Sequence, residues 1–252
     1  MSDWYALFYP LTAGSEETVK ELFRHSGRPK FDVTDGDGNQ VGRLLSTLAF
    51  VGVEKAIRVI EVEGPLPLVA AHMSRQEEVR AFERELEPYL SVPRDMTTPE
   101  GARAFFGEAA MPLVVSLGSV PDEDWPKTNW QGIFYPLKPG TEEKVAELFS
   151  GTEGGGTLDL NVLDEEGNKV GRLLRTMAFI GNGRALRINQ LEGTVEAAIA
   201  HLSRQPSAHA FQSELNQYLA VDRDMSDPAA IGAFFMTAIM ECVLVRRHDQ
   251  EL

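Results

Sequence analysis

The chain has 252 residues, and 24 basic against 38 acidic side chains leave it at a formal net charge of −14. Apolar residues at 43% and charged residues at 25% are ordinary globular values, which excludes a disordered chain and leaves room for one large domain or two ordinary ones. So acidic a chain lacks the clustered basic surface that nucleic acid or anionic lipid requires, and its single cysteine, Cys242, excludes an internal disulfide framework or a Cys-based metal cluster. The stretch Trp4 to Leu11 is rich in aromatic and bulky apolar residues and reads as a strand, closed by Pro10. Ser15-Glu16-Glu17 has the signature of a helix N-cap with acids in the first turn, and Val19, Leu22 and Phe23 follow at helical spacing. Phe31 to Asp35, a turn over Gly36-Asp37-Gly38-Asn39, and Gln40 onward read as a hairpin. Arg43 to Val51 and Ala56 to Glu63 read as paired strands. Helices are expected over Leu66 to Met73, Glu77 to Leu90 and Pro99 to Gly107, and Met111 to Leu117 reads as a final strand.

The order then starts again. Asp3-Trp4-Tyr5-Ala6-Leu7-Phe8-Tyr9-Pro10-Leu11 aligns with Asn129-Trp130-Gln131-Gly132-Ile133-Phe134-Tyr135-Pro136-Leu137. Gly42-Arg43-Leu44-Leu45 aligns with Gly171-Arg172-Leu173-Leu174, His72-Met73-Ser74-Arg75-Gln76 with His201-Leu202-Ser203-Arg204-Gln205, and Arg94-Asp95-Met96 with Arg223-Asp224-Met225. One small length change, in the Gly154-Gly155-Gly156 loop, reconciles the copies. Two copies are too few for a solenoid, so each should carry its own core. The expected domains are 1–118 and 129–252, joined by a polar, proline-bearing linker over 119–128. Each copy reads β-α-β-β-α-β with additions, a split-βαβ ferredoxin-like sheet with helices on one face. The fold class is therefore α+β, a tandem duplication of a ferredoxin-like domain forming a dimeric α/β barrel within one chain.

Chemistry is carried by few residues. His72 and His201 lie on corresponding helices and can be read as general bases, as metal or haem ligands, or as packed rings bonded to nearby backbone. Arg58 and Arg187 sit mid-strand among apolar residues, where a guanidinium turned inward needs an anion. Arg75 and Arg204 are read as salt-bridge partners of Asp95 and Asp224 or as anion clamps, and Arg43 and Arg172 as hairpin-end charges. Trp4, Phe8, Tyr9 and Phe50, with Trp130, Phe134, Tyr135 and Phe179, either line a flat pocket or fill the core. The two tyrosines are the better pocket candidates because a buried phenol wants a partner. Trp125 reads as an anchor for the joining segment. Asp35-Gly36-Asp37-Gly38-Asn39 begins like a calcium loop, but Gln40 stands where its glycine belongs and Ser46 where its bidentate glutamate belongs, so it is read as a turn. No dinucleotide fingerprint, phosphate loop, nucleophile elbow or His-x-x-x-His pair is present, so no metal and no cofactor is expected.

The paired Trp-x-x-x-Phe-Tyr-Pro-Leu starts, Gly-Arg-Leu-Leu-x-Thr-x-Ala-Phe strands, His-x-Ser-Arg-Gln elements and Arg-Asp-Met segments together resemble the SchA/CurD-like family, over both copies. That resemblance implies a role in aromatic (type II) polyketide and spore-pigment biosynthesis, on a barrel shared with cofactor-independent monooxygenases and polyketide cyclases. The function expected is oxygenation of a polycyclic aromatic polyketide intermediate by substrate deprotonation and direct reaction with molecular oxygen. The assigned roles are His72 or His201 as base, Arg58 or Arg187 as cation, and Tyr9, Tyr135, Phe50, Phe179, Trp4 and Trp130 as lining. A cyclase or aromatase, a non-catalytic polyketide-binding protein and a haem protein are the alternatives. An acid at Asp3, where a signal peptide needs basic residues, and the lack of a long apolar run point to a cytoplasmic protein without membrane or nucleic-acid partners, leaving a homodimer open.

Overall fold

The computed structural model describes residues 2–35, 37–96, 98–118, 125, 127–151, 161–221 and 223–249. The linker residues 119–124 and 126 and the loop around Gly154 lie outside them. The first copy contributes β1 (Asp3–Pro10), α1 (Glu16–His25), β2 (Asp32–Thr34), β3 (Gln40–Gly52), β4 (Lys55–Glu63), α2 (Leu66–Met73), α3 (Glu77–Leu86), α4 (Pro99–Ala109) and β5 (Ala110–Gly118). The second repeats the order as β6 (Asn129–Pro136), α5 (Glu142–Gly151), β7 (Asn161–Leu163), β8 (Lys169–Gly181), β9 (Arg184–Glu192), α6 (Val195–Ser203), α7 (Pro206–Asn216), α8 (Pro228–Ala238) and β10 (Ile239–Arg247). No helix among the described residues is long and apolar enough to cross a membrane.

The elements follow from the patterns. In α1, Val19 and Phe23 stand four apart and are buried, with Glu16 and Glu17 at the positive end of the helix and Arg24 and His25 at the negative end. The expected cap is not made. Ser15 lies in the right-handed helical region, and its hydroxyl turns back to the Thr12 carbonyl at 2.7 Å; Thr141 does the same to Lys138. The long helix expected to Leu90 stops at Leu86, because Pro88 falls within a following 3₁₀ turn over Glu87–Tyr89. Both long strands carry a bulge at the same place, between Leu44 and Ser46 and between Leu173 and Arg175. Gly42 and Gly171 pack where a side chain would not fit, since an added Cβ would meet the Glu63 or Glu192 carbonyl oxygen at 2.5 or 2.4 Å.

The chain forms two compact units, Met1–Pro112 with Cys242–Leu252, and Leu113–Glu241. Both boundaries fall inside strands, β5 and β10. In the first unit β1 pairs antiparallel with β4, β4 with β3 and β3 with β2. The start of β5 adds to β1 through Tyr5↔Pro112 and Leu7↔Ala110, and the later part of β10 adds to β3, where the His248 amide donates to the Leu45 carbonyl at 2.9 Å. The second unit repeats this, with β6, β9, β8 and β7 in that order, the start of β10 beside β6 and Leu113–Gly118 beside β8. Each unit packs its helices on one sheet face. The first core gathers Tyr9, Phe23, Phe82 and Leu86, and the second Tyr135, Phe149, Phe211 and Leu215. This is the duplicated ferredoxin-like α+β fold that the repeat implies.

Candidate functional site

The pleat decides what faces the helices in the second unit. Alternation along β6 puts Gln131, Ile133 and Tyr135 on the helix side, and along β9 it puts Arg187 and Asn189 there. Thr176 and Ala178 of β8 and Val115 and Leu117 of β5 share that side, all but Tyr135 lining a cavity of about 1480 Å3. Its other wall comes from the helices: Leu148 and Phe149 of α5, His201 and Leu202 of α6, Phe211 and Gln212 of α7, and Ile231 and Phe235 of α8. The charged side chains Lys144, Glu147, His209 and Glu214 also line it but are exposed, so they form its rim.

A polar row runs along the sheet side of this cavity. Arg187 Nε donates to Thr176 Oγ1 at 3.2 Å, Thr176 donates to Asn189 Oδ1 at 2.9 Å, and Asn189 Nδ2 donates to Gln131 Oε1 at 3.3 Å. The row ends on the Gln131 side-chain nitrogen, which is buried and has no acceptor. Burial pushes the Arg187 guanidinium below its ordinary pKa, and the Tyr135 phenol acts the other way. Phe211 lies under it, 5.7 Å from the guanidinium carbon. Arg223 is tied down differently, donating to the Gln212 carbonyl and Oε1 at 3.1 and 2.8 Å and to Asn216 Oδ1 at 3.0 Å. Gln212 completes the set by donating to the Tyr135 hydroxyl at 3.2 Å. Burial raises the Tyr135 pKa, so the phenol stays protonated at neutral pH.

The first unit has the same architecture and almost no space. Its corresponding cavity measures about 100 Å3. Glu83 stands where Gln212 stands in the second copy, and its carboxylate pairs with Arg94 and approaches Arg58 Nη1 at 3.9 Å. Arg58 lies over Phe82 at 4.5 Å and Phe23 at 5.4 Å, and Arg94 over Tyr9 and Phe105. Burial lowers the Arg94 pKa, but Glu83, with Tyr9 and Glu87, more than offsets this and raises it. Apolar Ile60 and aromatic Tyr5 replace Asn189 and Gln131, so the polar row is missing. Val79 replaces Ala208, and Arg246 enters where the second unit has Leu117, donating to the Ser26 and Gly27 carbonyls.

The two histidines share one bond. His72 Nδ1 accepts from the Thr34 amide at 3.2 Å, and His201 Nδ1 accepts from the Leu163 amide at 3.1 Å. Each ring thereby ties its helix to the short edge strand, β2 or β7. With Nδ1 accepting, the neutral ring carries its proton on Nε2. For His72 that nitrogen is buried without a partner. For His201 it lies 3.1 Å from the Gln205 amide, which must turn its carbonyl oxygen to the ring, and the imidazole edge lines the large cavity. His209 is the reverse case. Its Nε2 donates to the Ser203 carbonyl at 2.6 Å, leaving the Nδ1 lone pair open at the rim.

The remaining candidates divide by the same pleat. Tyr9 and Arg58 line the small cavity of the first unit. Tyr135 sits behind the large cavity, stacked 6.0 Å from Phe234. Trp4, Phe50, Trp130 and Phe179 alternate with cavity-side neighbours; they are buried on the other sheet face and line neither cavity. Trp125 is buried against Trp130, with ring centroids 5.0 Å apart. Arg204 donates to the Leu163 carbonyl and Asp224 accepts from Ser226, so the ion pair expected between them is not formed. Asp35 accepts from the Asp37 and Asn39 amides, both at 2.9 Å, as a turn residue should. Gln131, Asn189, His209 and Gln212 are not among the candidates read from sequence, and Gln205 enters there only as the end of the repeated His-x-Ser-Arg-Gln element. The one available signal was that four of them replace Tyr5, Ile60, Arg80 and Glu83 of the first copy. No group of three or more His, Cys, Asp or Glu among the described residues could hold a metal ion.

The structure defines the chain as a duplicated ferredoxin-like protein with a large cavity in one unit and a small one in the other, and comparisons with known proteins agree on the fold. Across its full length the chain matches a Fusobacterium nucleatum protein described as a candidate monooxygenase (TM-score 0.52, 8% identity, 96% of that chain). It matches an anthrone oxidase-like protein over 99% of its length, with TM-score 0.51, 10% identity and 95% of that chain. At such identities these matches establish shared fold alone.

The chain belongs to the SchA/CurD-like family: the profile of the SchA/CurD like domain matches residues 2–119 and again 129–247. Among curated relatives, "Polyketide synthase CurD" of Streptomyces cyaneus is 37% identical over 146 residues, 58% of this chain and 38% of that protein. The "42.8 kDa protein in whiE locus" of Streptomyces coelicolor is 29% identical over 198 residues, 79% of this chain and 46% of that protein. "Protein SchA" of Streptomyces halstedii is 33% identical over 148 residues, 58% of this chain and 37% of that protein. The chain thus spans less than half the length of the curated relatives it matches.

Proposed function

We propose that the cavity of the second unit binds an aromatic polyketide intermediate and oxygenates it with molecular oxygen, the substrate itself supplying the electrons and no cofactor taking part. The observation that carries this reading is the cavity of about 1480 Å3, apolar on most sides, with a guanidinium and a row of amides on one wall. Pockets for drug-sized ligands run to about 300–1,000 Å3, so a three- or four-ring polyphenol fits with room for oxygen. The name of one curated relative, "Polyketide synthase CurD", supports the same substrate class, and the fold is one that an anthrone oxidase-like protein also has.

The chemistry asks little of the protein. A ring methylene conjugated with an aromatic carbonyl system loses a proton to give an enolate. The enolate gives one electron to dioxygen; superoxide and the carbon radical combine to a peroxide. The peroxide takes up the proton and eliminates water, leaving the quinone carbonyl. One methylene and one dioxygen thus become one carbonyl and one water, with both methylene hydrogens and one oxygen atom leaving in the water. Arg187 holds the enolate oxygen, where a fixed cation in an apolar wall is worth far more than in water. His201 offers its Nε2 proton to the peroxide or to a neighbouring oxygen. His209, with its open Nδ1, receives the first proton at the rim. The apolar helices keep bulk water from the radical pair.

Oxygen uptake decides the matter. With 1,8-dihydroxyanthrone as probe and protein freed of metal and flavin, one dioxygen per anthrone should be consumed faster than in buffer. Arg187→Met should lower the enzymic rate about 100-fold. Turnover of a poly-β-ketone substrate unchanged under argon would replace this reading with the cyclase, and uptake no faster than in buffer would end it. A Soret band in the purified protein would point to haem instead.

A further inference from the structure

Position 212 is where the two copies part company. In the first unit the mid-strand arginine Arg58 faces the Glu83 carboxylate, which also pairs with Arg94, and both Arg58 and Glu83 line the small pocket. In the second unit Arg187 keeps the same strand position, but Gln212 supplies a neutral amide that is already committed to Arg223 and to the Tyr135 hydroxyl. Among the described residues Arg187 makes a single hydrogen bond, to Thr176, and no ion pair. The carboxylates on the lining, Glu147 and Glu214, are exposed at the rim. A second observation points the same way. The Gln131 side-chain nitrogen, on a residue only 1% exposed and lining the same cavity, is a donor with no acceptor. The wall therefore offers a guanidinium with no anion against it, beside a buried amide nitrogen that has no acceptor. Buried donors and charges in folded proteins are matched. On Arg187 an anionic ligand entering the cavity supplies the charge that Glu83 supplies near Arg58.

We propose that the second unit takes its ligand as an anion: a negatively charged oxygen, from a carboxylate or an enolate beside a ring carbonyl, occupies on Arg187 the place that Glu83 holds on Arg58, and residue 212 sets this preference. The proposal rests on the cavity being the ligand site, and names the charge state and functional group that it selects. An acidic polyketide with an ionised enol next to a carbonyl sets its anionic oxygen against Arg187. A neutral ring system of the same shape can accept a hydrogen bond there but leaves the charge of Arg187 unpaired.

The test uses two probes of one shape and different charge, anthracene-2-carboxylate and anthracene-2-carboxamide, titrated into the full chain at pH 7 and followed by anthracene fluorescence. The carboxylate should bind about 10–100-fold more tightly, the range expected for a charged hydrogen-bonded pair. Arg187→Met should erase that difference. Gln212→Glu should weaken carboxylate binding at least about 10-fold, by supplying an internal counter-ion, and should leave the carboxamide less affected. Arg58→Met, in the other unit, should leave the preference intact. Equal affinity for the two probes, or a preference that survives Arg187→Met, overturns the proposal. If either happens while oxygen uptake is seen, the oxygenase reading stands alone; a clear anion preference without oxygen uptake leaves the binding proposal standing and removes the oxygenase. Failure of both probes to bind overturns the cavity as a ligand site, and the proposal with it.

Discussion

Arg58 and Arg187 show how little separates a closed copy from an open one. Each follows the same strand pattern and each lies near a phenylalanine face, but one approaches the Glu83 carboxylate, while the other bonds only the Thr176 hydroxyl and has Gln212 where that carboxylate would stand. Both arginines could be nominated from sequence, because a charged residue between apolar strand neighbours must find a partner. Which one is short of a partner could not, since that depends on Glu83 and Gln212, which lie 25 residues further along the chain on α3 and α7. The histidines carry a similar lesson. Their repetition suggested chemistry and structure about equally, and the shared Nδ1 bond to an edge-strand amide accounts for the repetition by itself. His72→Ala should therefore leave the Thr34 amide unsatisfied and destabilise the first unit by about 1–3 kcal/mol in denaturant titration, with turnover of the folded protein unchanged. His201→Ala should cost a similar amount and also slow turnover, since that ring lines the cavity. Equal kinetic effects of the two would contradict the division of labour between the copies.

Strands and helices were readable because hydrophobic period and turn residues agree locally. The helix Leu66–Met73 has the expected bounds, and most others differ by a residue or two. Where the reading slipped, a neighbour intervened: Pro88 shortened α3, and the backbone at Ser15 turned a capping hydroxyl away from the helix. The hairpin turns are self-contained and so behave as read. Asp164 accepts from the Asn168 and Glu166 amides at 2.8 and 3.0 Å, and these bonds, those to Asn168 first, hold its pKa below the ordinary 3.8. A carboxyl depressed in the folded state adds stability above its unfolded pKa and loses it as pH falls through the folded value. The melting temperature of the parent should thus exceed that of Asp164→Ala at pH 6. The gap should narrow once pH drops below 3.8, most of it going through the still lower folded pKa. A gap that is constant from pH 6 to pH 2 would show that the charge is not what orders the turn.

At the scale of the molecule, the sequence copies and the compact units are different partitions of one chain. The repeat is visible in local motifs, but the exchange of strand ends is set by long-range pairing, Leu113↔Phe179 in one unit and the last part of β10 beside β3 in the other, which no local pattern encodes. The first unit draws Leu244 and Arg246 from the far end of the sequence. A chain shortened after Glu241 should therefore lose amide-exchange protection in β3 and β4 while β8 and β9 keep theirs. Equal loss in all four strands would refute the assignment of β10 to the first unit.

That exchange also reverses the usual order of events during synthesis. Domains ordinarily fold from the N-terminus as they emerge, at about 5–20 residues per second. Here the first unit lacks a strand until residues 242–247 have been made, by which time every residue of the second unit already exists. The second unit can therefore complete its sheet first, while the N-terminal unit keeps an unfilled strand edge beside β3 until residues 242–247 follow.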